Sequence, residues 1–228
     1  MACPFLDPIA LANLLLSLGD SGLKISKVIL GAMSYGSPQW QEWILDEEHS
    51  LPLLEHACKA GLNTWDTVSH PPFFPLLQFC SEWLTILAGF QADVYSNGRS
   101  EEIIGKALKQ YNIPRQKVVI LSKCYFGVDT SGAQPRISAM ASNTGEMVNQ
   151  VGLSRKHILD AVDRSVERLG TYIDVLQIHR LDRETPKKEI MKALNDVVES
   201  GKVRYIGASS MAAWEFQWLQ SIAEQNGW

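Results

Sequence analysis

Short apolar runs alternate with amphipathic segments from Lys24 to the last residues of the chain. This alternation constrains the fold more than any other feature. Val28–Leu30 before Gly31, Asn63–Asp66, Val118–Leu121, Ile173–Ile178 and Tyr205–Ala208 are β-branched or apolar runs of strand length. Helices are predicted between and after them, over Leu51–Ala60, Ser100–Tyr111, Ser154–Leu169, Pro186–Ser200 and Ala212–Asn226. Gly61, Gly170 and Gly201 end three of these where a left-handed cap would sit. Ser100-Glu101-Glu102 reads as an N-cap followed by acids in the first turn. Strand–helix repetition with short junctions implies parallel strands covered by helices. No G-x-G-x-x-G follows a strand, so the dinucleotide fingerprint of an open doubly wound sheet is missing. Polar residues instead stand at the strand ends: Asp66, Lys123, His179 and Ser209. That rim is where barrel enzymes keep their chemistry. The expected fold is α/β, an incomplete (β/α)8 TIM barrel with five of its eight units visible.

Composition narrows the function classes. The chain has 228 residues, 46% of them hydrophobic, enough for one packed core, and a net charge of −4. That balance excludes non-specific nucleic-acid binding, which needs clustered cations. Cys3, Cys58, Cys80 and Cys124 form no disulfide or metal frame and read as free, mostly buried thiols of a reducing compartment. His49, His56, His70 and His157 lack metal-ligand spacing, so no metal is expected. The apolar stretch Pro8–Leu18 has no basic flank, and Pro71–Phe90 carries Glu82 and three prolines. Neither suits a leader or a membrane span, and a cytoplasmic protein is expected. Trp214 and Trp218, one helical turn apart, read as a packing stripe. Lys106, Lys109, Arg115 and Lys117 read as a solvated basic face.

The rim residues suggest a reaction. A buried lysine beside a tyrosine favours phenolate, and an aspartate paired with that lysine keeps it charged and oriented. Tyr95 tuned in this way by Lys123 and Asp66 could protonate a carbonyl oxygen as hydride reaches the carbon, with His179 orienting the carbonyl. Each residue alone has a plainer reading as an ordinary strand-end polar group.

Several segments then resemble one family. These are Gly61–Thr67 (GLNTWDT), Val94–Leu108 (VYSNGRSEEIIGKAL), Ile120–Cys124 (ILSKC), Arg168–Arg180 (RLGTYIDVLQIHR) and Gly201–Ser210 (GKVRYIGASS). Their sequence and order resemble the aldo-keto reductases, most nearly the fungal aryl-alcohol-dehydrogenase-type reductases. The resemblance implies NADP(H)-dependent reduction of a small-molecule aldehyde or ketone. It implies Asp66, Tyr95, Lys123 and His179 as the catalytic tetrad, with Tyr95 the general acid. It further implies Ser209 and Ser210 as the hold on the nicotinamide carboxamide, with Asp66 and Met33 on the cofactor side. Phe126–Gly152, polar and rich in Gly and Ser, would be a substrate-covering loop. No membrane or nucleic-acid partner is implied, and oligomeric state is left open. A catalytically inactive relative, or a binding protein like the channel β subunits, is the other reading.

Three features depart from the family pattern. Asp66 and Tyr95 are 29 residues apart, and removing the 24 residues 68–91 leaves them five apart, as the family motif has them. Val68-Ser69, Leu84-Thr85 and Gln91 can be encoded as splice donor, branch site and acceptor, so this insertion is either a translated intron or a genuine lineage-specific loop. The chain stops after the fifth strand–helix unit and is expected to be a truncated domain. Residues 1–17 form an atypical N-terminal extension before the opening hairpin expected at 18–26.

Overall fold

In the computed structural model the described residues are 15–67, 95–129 and 142–228. The insertion 68–91, most of the N-terminal extension and the middle of the loop after Phe126 lie outside them, as do Cys3, His70 and Cys80. Of Tyr95 the backbone is described, and its side chain lies outside.

An antiparallel hairpin opens the described chain, with β1 (Leu15–Ser17) paired to β2 (Lys24–Ser26). Five strands then alternate with five helices: β3 (Leu30–Gly31), α1 (Glu47–Lys59), β4 (Thr64–Asp66), α2 (Arg99–Gln110), β5 (Val119–Cys124), α3 (Arg155–Leu169), β6 (Ile173–Ile178), α4 (Lys187–Glu199), β7 (Val203–Ala208) and α5 (Ala213–Asn226). The five strands form one sheet in the order β3-β4-β5-β6-β7, every pair parallel. Sequential order with parallel pairing is how a (β/α) barrel grows, and here it forms an arc of five.

The core lies between the outer face of the arc and the helices. Trp65 and Ile120, register partners on β4 and β5, are both fully buried. The same core cluster holds Leu54 of α1, Ile103 and Ile104 of α2, Ile158 of α3 and Ile190 of α4, all 0% exposed. Helices α2 and α3 approach closely enough that a Cβ at Gly105 would lie 2.6 Å from the Leu169 carbonyl oxygen. Only glycine permits that crossing without moving a backbone.

Several local expectations are met and several are corrected. Ser154 caps α3, and Gly170 closes it with φ +66°. Helix α1 begins earlier than the apolar pattern predicts, because the Asp46 carboxylate caps it by accepting from the His49 N–H at 3.0 Å. The N-cap of α2 is Gly98 in a left-handed conformation, and the Ser100 hydroxyl instead donates to the Ala32 carbonyl at 2.8 Å. Val28 and Ile29 precede β3 as exposed residues. Trp214 and Trp218 are not a packing stripe: they are 64% and 50% exposed. Of the expected solvated basic face, Lys106, Lys109 and Lys117 are exposed, and Arg115 departs from it. Arg115 turns inward to bond Asp174 and the Tyr172 carbonyl, and Lys106 pairs with Glu47. Cys58 and Cys124 are buried, as expected of most of the cysteines.

Candidate active site

Successive strand residues alternate between faces, and register partners in a sheet share one. Asp66 pairs with Leu121 across β4 and β5, and Lys123 stands two residues beyond Leu121, so both point to the inner face of the arc. There the Lys123 ammonium donates to Asp66 Oδ1 at 2.7 Å, with the two side chains only 3% and 16% exposed. Burial pushes the Lys123 ammonium below the ordinary lysine range, and the Asp66 charge offsets part of that shift. The result is a desolvated cation held in one place by one carboxylate.

The same logic places the remaining rim residues. Lys123 is in register with Gln177, and Gln177 with Gly207. His179 and Ser209 follow these by two residues and fall on the same inner face. The ladder continues past the strand ends to hold them: the His179 N–H donates to the Cys124 carbonyl at 3.1 Å, and the Ser209 N–H to the Ile178 carbonyl at 2.9 Å. His179 is 1% exposed, with the Phe126 ring edge-on at 5.2 Å between centroids. Met33 sits in the turn after β3, half-buried, next to Ala32, whose N–H donates to the Asp66 carbonyl at 2.7 Å. Asp66, Lys123, His179, Ser209 and Met33 are therefore gathered at one end of the arc. Ser210 joins them at the edge, exposed, with φ +49° and its hydroxyl 3.2 Å from that of Ser209. A cleft of about 440 Å³ lined by Tyr125, Arg180, Arg183 and Ser210 opens beside it.

The residues that sequence reasoning missed are those that brace this rim. Glu101, expected to favour the dipole of α2, is 0% exposed. It accepts from the Ser122 hydroxyl at 2.6 Å and from Arg168 Nε at 2.7 Å, tying α2 and α3 to the strand that bears Lys123. Gln177 is the single amide in the strand run Ile173–Ile178, whose one other polar residue is Asp174, and that was its available signal. Its Nε2 is buried without a partner beside Gly207, where a Cβ would come 3.1 Å from the Gln177 Cγ. Thr67 Oγ1, fully buried after Asp66, is likewise unpartnered.

The residue motifs and the arc agree with comparison to known proteins. The family described as "Aldo/keto reductase family" matches residues 27–226. The chain belongs to the aldo/keto reductase family. It is 66% identical over 212 residues to the versiconal hemiacetal acetate reductase of Aspergillus parasiticus, covering 92% of this chain and 55% of that protein. It is 48% identical over 218 residues to a putative aryl-alcohol dehydrogenase of Schizosaccharomyces pombe, with 92% and 55% covered. An aldo-keto reductase of Alternaria alternata is 46% identical over 219 residues, with 92% and 53% covered. The chain thus spans about half the length of the curated relatives it matches, consistent with five barrel units where the fold has eight.

Members of this family generally use a nicotinamide cofactor. The rim suits one in its donor set. Two neighbouring hydroxyls at Ser209 and Ser210 can both donate to and accept from a carboxamide, and an unpartnered amide at Gln177 faces the same interior. Among the described residues no group of three or more His, Cys, Asp and Glu could hold a metal ion. No described helix is long and apolar enough to cross a membrane.

Proposed function

We propose that the protein containing this chain reduces an aldehyde or ketone to the alcohol, reversibly and with NADPH, and that Asp66, Tyr95, Lys123 and His179 carry the chemistry. The observation that carries this reading is the buried Lys123–Asp66 pair at 2.7 Å, next in the sheet to a buried His179. Burying an ammonium costs stability that its pairing with Asp66 only partly offsets, and stabilising a phenolate beside it is chemistry this rim can use. Tyr95 donates its phenolic proton to the carbonyl oxygen, and Lys123 stabilises the phenolate that remains. Asp66 keeps Lys123 charged and in place. His179 points its ring at the same oxygen and fixes the orientation of the carbonyl. Ser209 and Ser210 would hold the carboxamide of the nicotinamide, with Asp66 and Met33 lining that side. NADPH, when bound, supplies the hydride to the carbonyl carbon, so that carbonyl, NADPH and one proton yield alcohol and NADP⁺.

Relatives named for a hemiacetal acetate and for aryl alcohols support a bulky or aromatic carbonyl compound as substrate, as in fungal secondary metabolism or aryl-aldehyde detoxification. The half-buried Tyr125 and Trp40 packed on Phe126, beside His179, support the same class. One observation favours a second reading, a polypeptide with no catalytic turnover. The 24 residues 68–91 separate Asp66 from Tyr95, and a displacement near 1 Å can cost roughly a hundredfold in rate.

Both readings meet in one experiment: NADPH oxidation with a panel of aliphatic and aromatic aldehydes, on the chain and on a version lacking residues 68–91. Aldehyde-dependent oxidation that Tyr95→Phe reduces by about 10²-fold or more supports the reductase. Activity only after excision locates the fault in the insertion. Activity that survives Tyr95→Phe unchanged overturns the assigned chemistry.

A further inference from the structure

The turn that follows Tyr95 runs through three consecutive left-handed residues: Ser96 (φ 44°, ψ 37°), Asn97 (φ 56°, ψ 47°) and Gly98 (φ 86°, ψ −7°). Side-chain-bearing residues avoid this region, so such a run persists only where its surroundings hold it. Each residue has its own anchor. The Ser96 hydroxyl accepts from the Ser37 N–H at 3.1 Å, over Gly36, where a Cβ would lie 2.0 Å from that oxygen. Gly98 lies flat on Arg168, where a Cβ would come 2.8 Å from the Arg168 Cδ. Asn97 clasps the main chain of Asp129: its Oδ1 accepts from the Asp129 N–H at 2.7 Å, and its Nδ2 donates to the Asp129 carbonyl.

The Asn97 clasp differs in kind from the other two. One carboxamide takes both the donor and the acceptor of a single residue, as a neighbouring strand would, and this fixes orientation as well as distance. Its target also matters. Asp129 lies six residues after Lys123, in the segment that leaves the same strand, β5. The segment leaving the strand that carries the ammonium therefore anchors the turn that begins at Tyr95.

We infer that Asn97 is a positioning residue: its two-way bond to the Asp129 main chain registers the Tyr95 turn against β5 and so sets the placement of the phenol relative to Lys123. The inference rests on the proposed role of Tyr95. A clasp that merely stabilised the loop would change melting behaviour and leave the ionisation of Tyr95 where it was.

Tyr95 ionisation is therefore the readout, taken from near-ultraviolet titration of the intact chain as the difference from Tyr95→Phe. In the parent, Tyr95 is expected to titrate below ordinary tyrosine. Asn97→Gly keeps the left-handed backbone accessible and deletes the clasp, and should weaken Tyr95 acidity by about tenfold or more. Asp129→Pro, which removes the clasped N–H, should move the titration in the same direction. Asp129→Ala keeps the main-chain amide and should titrate as the parent does. If Asn97→Gly fails to fold by circular dichroism, the proline and alanine pair decides alone. Parent-like titration in the folded clasp-deleted variants overturns the positioning role while leaving the Tyr95 assignment intact. An ordinary tyrosine titration in the parent overturns the tuned Tyr95, and this inference with it.

Discussion

The middle of the sheet and its β7 edge are built differently, although both contribute to one rim. Strands β5 and β6 each have a partner on both sides, and ten of their twelve residues are buried. Lys123 and His179 are consequently dry. Strand β7 pairs only with β6 among the described residues, and of its six residues Val203 alone is buried. Ser209 and Ser210, the proposed hold on the nicotinamide, inherit that exposure. Lys123 and His179, proposed to support the proton transfer, are thus set by contacts already present within five units. The groups proposed to hold the cofactor stand where a barrel would supply its next strand. Proton chemistry needs desolvation, which the inner strands supply, and cofactor binding at β7 needs neighbours on its open side.

The comparison can be broken most severely at its dry centre. Lys123→Met removes the cation that supports the phenolate, and carbonyl reduction should fall by about 10³-fold in steady-state assays of an active form. Retained activity would mean that the buried pair is structural only. The next largest effect belongs to the brace behind it. Glu101→Ala removes the carboxylate that accepts from Arg168 Nε and from the Ser122 hydroxyl in the layer between sheet and helices, and should cost about 3–5 kcal/mol in urea unfolding. A loss under about 1 kcal/mol would show the network to be dispensable.

A smaller, pH-dependent effect comes from His157. It is 5% exposed, and burial holds its imidazole below the ordinary histidine range, partly offset by its bond to the Gly152 carbonyl at 2.7 Å. Between its lowered folded value and the ordinary one near 6.5, the unfolded chain binds more protons than the folded one. Stability should therefore decline as pH falls through that window and level off below it. In His157→Gln this part of the decline should vanish from melting curves taken across mildly acidic pH. At the open edge the effect should be smallest: Trp214→Ser should change unfolding free energy by no more than about 0.5 kcal/mol. A larger loss would mean that this indole is packed after all.

What was legible in the sequence follows local rules. Ser154 and Gly170 delimit α3 because capping and a left-handed closure are properties of one or two residues. The five strands were readable because apolar runs of that length have few alternatives beside amphipathic helices. Ser100 misled because a serine before two acids looks like a cap whether or not a carbonyl just past a strand, 68 residues earlier, has claimed its hydroxyl. Trp214 and Trp218 misled for a related reason. Helical spacing shows that two side chains share a face and says nothing about whether another element covers it.

The sequence by itself determined the order and type of the elements, the family, and the four rim positions at the strand ends. These depend on periodicity and on residue identity at fixed offsets. Only the tertiary structure decided which of them are dry, that Glu101 braces α2 and α3 against β5, and that Asn97 fastens the Tyr95 turn to Asp129. Those facts join residues 21 to 67 positions apart, and their energies come from desolvation and hydrogen-bond geometry, which exist only once the strands have been brought side by side.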